Sequence, residues 1–417
     1  MRILWFTNTP SNASITFGYE VPGGGWISAL ELLIAKEQTH QLGVCFFYGG
    51  REYKKLVQEG VTYYAIPLKI QNGIQRILSR QLSKLVDEES QYLDQVIQDF
   101  QPQIIHVFGT ESGYGKILSN KFDKVVFHMQ GLLKPYTEVY FPIGFTKRSI
   151  LKYSSISTLI KGFSFFHGYS DLKNRAEREI ETVKHWKYFS GRTHWDRNYI
   201  KLLNPEATYF HCDELLRGEF FNRQWSVPKN LNLKQSVVIG TTINPSIYKG
   251  LDLIYKVIPL LSDYTIYWKV FGIEEGNELN KVVKGRVNGG LKNSSILFCG
   301  PLGATELIDA LNTCHFFVHP SYIDNSPNSV CEAQLLGMPV LSSSVGGIST
   351  LITNNVNGFV FNPYDRYDLA GLICNLINNY PIAIDAGRKA RETALKRHSP
   401  AEILKTVNHI YNTIFNA

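Results

Sequence analysis

The six cysteines of this chain, Cys45, Cys212, Cys299, Cys314, Cys331 and Cys374, include no Cys-x-x-Cys pair. That spacing argues against structural zinc and against a disulfide framework, and leaves small apolar side chains in a reducing compartment. No run approaches the roughly 18 apolar residues of a membrane span. The opening Met1-Arg2-Ile3-Leu4-Trp5-Phe6 has one basic residue and an apolar run too short for a signal peptide, and reads as a first buried strand. The expected location is cytoplasmic, with contact at the inner face of the plasma membrane left open. A strand–GxGxxG–helix fingerprint is missing too, since Pro22-Gly23-Gly24-Gly25 does not fit it, so a dinucleotide-dependent oxidoreductase is disfavoured.

What is present is a globular composition. Hydrophobic residues make up 44% and charged residues 19% of 417 positions, which suits a soluble chain of two domains. Net charge is +7, and residues 131–200 carry most of it, with twelve Lys or Arg against six Asp or Glu. In the first half of that stretch Lys134, Lys147, Arg148, Lys152 and Lys161 face only Glu138, amid Tyr136, Tyr140, Phe141, Phe145, Phe163, Phe165 and Phe166. Basic residues interleaved with aromatics suit an anionic membrane surface or a lipid diphosphate, and a solvated face is the alternative. No nucleic-acid-binding motif accompanies the charge, so no nucleic-acid partner is expected.

Short apolar runs alternate with helical periods, the pattern of parallel sheets covered on both faces. Strands are predicted at 3–7, 44–48, 63–66, 104–108, 125–128, 187–190 and 208–211, with helices at 26–36 and 82–100. After a polar stretch at 222–234, strands resume at 236–240, 266–271, 296–299, 316–319, 339–342 and 359–361. The expected organisation is an N-terminal Rossmann-like domain over 1–221, a linker over 222–234 and a second Rossmann-like domain over 235–398. A last helix, within 399–417, is expected to pack back on the first domain. Doubly wound sheets bind ligands at the carboxyl ends of their strands, here expected to face one another across a cleft.

The most informative stretch is His319-Pro-Ser-Tyr-Ile-Asp324-Asn-Ser-Pro-Asn-Ser-Val-Cys-Glu332, followed by Gly337-Met-Pro339-Val and by Ser342-Ser-Ser-Val-Gly346-Gly347. It reads as strand, polar loop, helix, strand and glycine loop. Asn325, Ser326, Pro327, Asn328 and Ser329 lie between the two carboxylates and can aim backbone N–H groups at one ligand. A helix N-terminus suits a diphosphate, carboxylates suit sugar hydroxyls, and Gly346-Gly347 offers unobstructed amides.

This segment resembles the signature of the retaining group-1 glycosyltransferases (family four), whose fold is GT-B, with two Rossmann-like doubly wound α/β domains. Lys249-Gly250 resembles the family's Lys-Gly pair, Phe298-Cys299-Gly300-Pro301-Leu302 the segment lining the base, and Gly23-Gly24-Gly25-Trp26 the N-domain glycine loop. Asn357-Gly358-Phe359 and Pro363 match a late family motif. The resemblance implies that Glu332 holds the ribose, Asp324 the donor sugar and Lys249 the diphosphate, with Asn325, Ser326 and Pro327 lining the sugar pocket. Gly300 and Leu302 would lie at the base, and Gly24 and Gly25 near the transferred sugar.

Three departures stand out. The family's first glutamate is Asp324. Its diphosphate arginine is absent from Gly240-Thr241-Thr242-Ile243-Asn244, leaving Arg192 as a substitute or as a structural partner of an acidic neighbour. The histidine that many relatives carry near the reacting centre is replaced by Gln130, with His128 two residues earlier; the bland reading of His128, and of His106, is a packed strand histidine. The resemblance implies a metal-independent hexosyltransferase with no cofactor. Its donor is UDP-linked or GDP-linked, with UDP favoured. Its acceptor is a glycan or lipid-linked glycan in bacterial polysaccharide or lipopolysaccharide synthesis. No Asp-x-Asp pair occurs in the chain. A non-catalytic binding subunit of a glycosylation complex, or an epimerase or phosphorylase of the same fold, are the competing readings.

Overall fold

The computed structural model describes residues 1–19, 25–67, 86–228, 233, 236–287 and 295–417. Gly24, the expected helix start at 82–85 and part of the expected linker lie outside the described residues. The chain forms two compact units. One comprises Met1–Thr137, Phe166–Leu216 and His398–Ala417, and the other Glu138–Phe165 and Arg217–Arg397. Residues 138–165, read from the sequence as part of the N-terminal domain, thus fall in the second unit.

The first unit is built on β1 (Arg2–Thr7), β2 (Gln41–Tyr48), β3 (Lys54–Gln58), β4 (Val61–Pro67), β5 (Ile104–Phe108), β6 (Val125–His128), β7 (Tyr188–Gly191) and β8 (Thr208–His211). Their order is β3-β4-β2-β1-β5-β6-β7-β8. All neighbours pair in parallel except β3 and β4, which are antiparallel. Continuous burial along β1 and β5 is what a sheet covered on both faces requires. The edge strand β3 was not predicted, because Lys-Lys-Leu-Val-Gln has no apolar run; its lysines suit an edge exposed to water.

Helices α1 (Trp26–Glu37), α2 (Val86–Phe100) and, in the second unit, α3 (Lys147–Tyr153) precede the long α4 (Phe165–His185) and α5 (His194–Leu203). The second unit holds β9 (Val237–Thr242), β10 (Ile266–Phe271), β11 (Ile296–Gly300), β12 (Phe316–His319), β13 (Val340–Ser343) and β14 (Phe359–Phe361) in the order β11-β10-β9-β12-β13-β14. Every pairing there is parallel. Its helices include α6 (Leu251–Val257), α7 (Glu278–Val287), α8 (Ala304–Leu311), α9 (Asn328–Leu336), α10 (Arg366–Asn378) and α11 (Tyr380–Arg397).

The final helix, α12 (Pro400–Phe415), belongs to the first unit. Its Tyr411 hydroxyl is fully buried, accepts from the Trp5 indole N–H at 3.0 Å and lies 2.9 Å from His106 Nδ1. Three polar groups that burial would otherwise leave unsatisfied thereby satisfy one another and tie the end of the chain to β1 and β5. His106 is held neutral by burial, its pKa lowered to about 3.

In the second unit α9 and α11 pack backbone to backbone. A Cβ at Gly387 would sit 2.5 Å from the Gly337 carbonyl oxygen and 2.9 Å from the Met338 carbonyl carbon. Gly371 on α10 is exposed, with nothing within 4 Å of its Cβ position. Both glycines are helical, so alanine at either gains about 1 kcal/mol of helix propensity. At Gly387 that gain is opposed by overpacking of about 1–3 kcal/mol. Thermal unfolding should therefore show Gly387→Ala melting below the parent protein and Gly371→Ala at or above it. Equal melting temperatures for the two would contradict the close approach.

Candidate functional site

The carboxyl end of β12 carries a buried charge pair of the second unit. Gly250, at φ +77°, follows Lys249, and a Cβ there would meet the Pro320 carbonyl oxygen at 2.0 Å. Only glycine lets the Lys249 turn lie this close to the loop after β12. The Tyr322 N–H donates to the Tyr248 carbonyl at 2.8 Å, which fixes the two loops side by side. Lys249 Nζ then lies 2.6 Å from Asp324 Oδ2, and His319 Nε2 lies 3.1 Å from the same oxygen. The Asn325 N–H donates to Asp324 Oδ1 at 3.1 Å.

Asp324 is 7% exposed. Burial alone would raise its pKa, but the Lys249 ammonium and His319 outweigh that and hold the carboxyl well below the usual range. Burial lowers the His319 pKa, with Asp324 opposing. Lys249, pushed down by burial, ends above its ordinary value because Asp324 is beside it. The site is a buried ion pair with an imidazole against it. Asn325 and Ser326 are buried, and Asn328 and Ser329 half-buried at the start of α9, whose first turn has no side-chain cap. The Gly347 N–H donates to the Asp324 carbonyl at 3.1 Å, so the glycine loop after β13, with Gly346 at φ +50°, closes on the same segment.

Glu332, one turn into α9, is buried and gripped at both oxygens by Arg217: Nε donates at 2.8 Å and Nη2 at 3.0 Å. The guanidinium also lies 4.8 Å over the Phe220 ring. Bidentate pairing of this kind locks carboxylate orientation as well as charge. Neither Arg217 nor His319 was assigned a role from the sequence. Arg217 stands 115 positions from its partner and carries no local signal. His319 could have been found as the last residue of a strand that ends at the motif. Gly300 closes β11, three strands from β12, at φ +68°, with Leu302 half-buried just after it.

The remaining sequence-derived candidates lie in the first unit. Arg192, 4% exposed, donates from Nη2 to the Gln130 carbonyl at 2.7 Å, lies 5.5 Å over the Trp26 ring and places Nε 4.0 Å from Glu214. Its backbone N–H donates to Asp196 at 2.9 Å, inside a turn where Thr193 and Asp196 cap α5 reciprocally. Gln130, Arg192 and the Gly25–Trp26 start of α1 are thus brought together. His128 Nδ1 lies 2.9 Å from the Ser190 hydroxyl, and burial, reinforced by Arg192, holds its pKa well down. It is a packed, neutral strand histidine.

Because Asp324 has a depressed pKa in the fold, the stability it contributes is present above its unfolded pKa of about 3.9 and is lost as pH falls below that value. Urea unfolding between pH 5 and pH 3 should show the parent losing about 1 kcal/mol more than Asp324→Asn. Parallel acid limbs for the two proteins would mean that Asp324 is not charge-paired as described.

Residues 234–379 match the family described as Glycosyl transferases group 1. The chain is 27% identical over 208 residues to the poly(ribitol-phosphate) alpha-N-acetylglucosaminyltransferase of Staphylococcus aureus, covering 49% of this chain and 41% of that one. It is 23% identical over 168 residues to the N,N'-diacetylbacillosaminyl-diphospho-undecaprenol alpha-1,3-N-acetylgalactosaminyltransferase of Campylobacter jejuni, covering 40% and 43%. The matches span less than half the length of these curated relatives. Among solved structures, sucrose-phosphate synthase from Thermosynechococcus elongatus superposes with a TM-score of 0.72 at 13% identity, covering 100% of this chain and 99% of that one. Anabaena HepE, solved with UDP and glucose, superposes with a TM-score of 0.67 at 14% identity, covering 98% of each. The chain has the two-unit GT-B fold, and the stretch of its second unit from 234 to 379 is the part that matches the group-1 glycosyltransferases.

Proposed function

We propose that the chain transfers a hexosyl unit from a nucleotide sugar, UDP-linked rather than GDP-linked, to a lipid-linked glycan with retention of anomeric configuration. The observation that carries this reading is the paired constellation on one segment: Asp324 held ionised by Lys249 and His319, and Glu332 oriented by Arg217 eight residues on. An oriented carboxylate is the acceptor that sugar and ribose hydroxyls need; Asp324 is kept ionised and Glu332 kept oriented before a ligand arrives. The relatives' names support a bacterial cell-surface glycan as product: one acts on poly(ribitol-phosphate), the other on an undecaprenol diphosphate glycan. The structural likeness to a protein solved with UDP and glucose supports the donor class.

In this reading the donor diphosphate lies against Lys249 and the amino end of α9, where an ammonium and backbone amides stabilise charge developing on the leaving group. Asp324 accepts from the donor sugar hydroxyls and Glu332 from the ribose. The leaving phosphate receives the proton of the acceptor hydroxyl, and no metal takes part in that step.

The test is a thermal-shift and hydrolysis screen of the purified chain with UDP- and GDP-sugars. One UDP-sugar should stabilise the fold, by about 2.7 kcal/mol at a hundredfold excess over Kd, and should be slowly hydrolysed with or without a chelator. Glu332→Gln, which keeps the side-chain volume, should abolish the shift while retaining the fold. Lys249→Gln should lower turnover by about a hundredfold. Binding without turnover would favour the non-catalytic subunit, and no binding of any nucleotide sugar at about millimolar concentration would sink the donor site.

A further inference from the structure

The segment 138–165 leaves the first unit after β6 and is folded onto the second. Several contacts fasten it there. The Tyr153 ring occupies the space that a side chain at Gly285 on α7 would need, a Cβ there coming 2.4 Å from the ring. Arg286 donates to the Gly144 carbonyl at 2.7 Å, Thr158 donates to Glu278 at 2.8 Å, and the Tyr140 ring lies 5.8 Å from that of Tyr248, next to Lys249. Ile150, Phe145 and Tyr140 are buried. Thr146 and Ser149 form a capping box that starts α3 at a defined point.

Its exposed side is apolar and faces water. Ile143 and Ile156 are 74% exposed, Ile160 70%, Phe163 61% and Leu151 49%. Ile156 and Ile160 are four residues apart on one short helix and so share a face, as Lys147 and Leu151 do on α3. Exposed Lys147, Arg148, Lys152 and Lys161 are interleaved with them, and from Val139 to Phe165 the sequence has no Asp or Glu. A surface turned to water does not gather exposed isoleucines, and one turned to a typical protein partner is depleted in lysine. Apolar tips set among cations, on a stretch with no acidic residue of its own, complement a bilayer with anionic headgroups, where the apolar groups enter the acyl boundary and the cations remain at the phosphates.

We infer that residues 143–163 are a membrane-docking surface for anionic lipid, carried by the donor-binding unit rather than by the first. It deepens the proposed function by placing that unit at the surface where a lipid-linked acceptor resides. It does not depend on the donor chemistry, because nucleotide-sugar stabilisation is read separately on the same variants.

The experiment is co-sedimentation of the full chain with vesicles of phosphatidylcholine alone, or containing roughly one-third phosphatidylglycerol. Binding should appear with the anionic vesicles and fall as salt rises from about 0.1 M to 0.5 M. Lys147→Gln/Arg148→Gln/Lys152→Gln and, separately, Ile143→Ser/Ile156→Ser/Ile160→Ser should each weaken it by more than about tenfold. All these positions are exposed, so melting temperatures and nucleotide-sugar shifts should match the parent. Failure to bind anionic vesicles, or binding unchanged in both variants, would overturn the inference. So would a dimer of the parent that the serine variant dissociates without any effect on vesicle binding, since the face would then join two copies of the chain.

Discussion

A carboxylate taken out of water must be compensated, and the second unit is arranged around that requirement at Asp324. Its counter-charge, Lys249, comes from a different βα loop, and only the missing side chain of Gly250 lets that loop close on Pro320. His319 supplies a third group from the end of β12, and the loop after β13 is fastened to the Asp324 backbone through Gly347. Removing Lys249 would leave the buried carboxylate without its counter-charge, which costs more than the pair contributes. Replacing the family's glutamate by aspartate shortens the side chain by one methylene, and Lys249 and His319 still reach it.

The same logic recurs at Glu332, where Arg217 meets both oxygens, and in the first unit at Asp196 and Arg192. Arg192 donates to the Gln130 carbonyl, lies over the Trp26 ring and comes within 4.0 Å of Glu214, an acidic neighbour of the kind the sequence offered as a structural partner. These contacts pre-form the loops at strand ends, so that polar groups point in defined directions before substrate arrives. Preorganisation of this kind keeps the cost of ordering out of the binding step.

The fold was legible because burial on both faces of a parallel sheet demands continuous apolar runs, and such runs are hard to mistake. Every predicted strand is found within a few residues of its place. The antiparallel edge β3 escaped because an edge strand needs only one partner and tolerates lysines in water. The motif from His319 to Gly347 was legible for a related reason, since its loop, helix start and glycine turn are contiguous in sequence. Arg217 was not, because a salt bridge across 115 positions leaves no trace in either local neighbourhood.

By itself the sequence determined the strand and helix alternation, the two-sheet architecture and the positions of Lys249, Asp324 and Glu332, since each depends on local pattern and side-chain chemistry. Tertiary structure alone decided which groups compensate those charges. It also decided that the last helix, expected from the sequence on the first domain, is held there through Tyr411, and that residues 138–165 fold onto the second. The physical reason is common to all three: burial makes each polar or aromatic group seek a partner in space, and the chain connecting the two partners places no constraint that sequence distance could reveal.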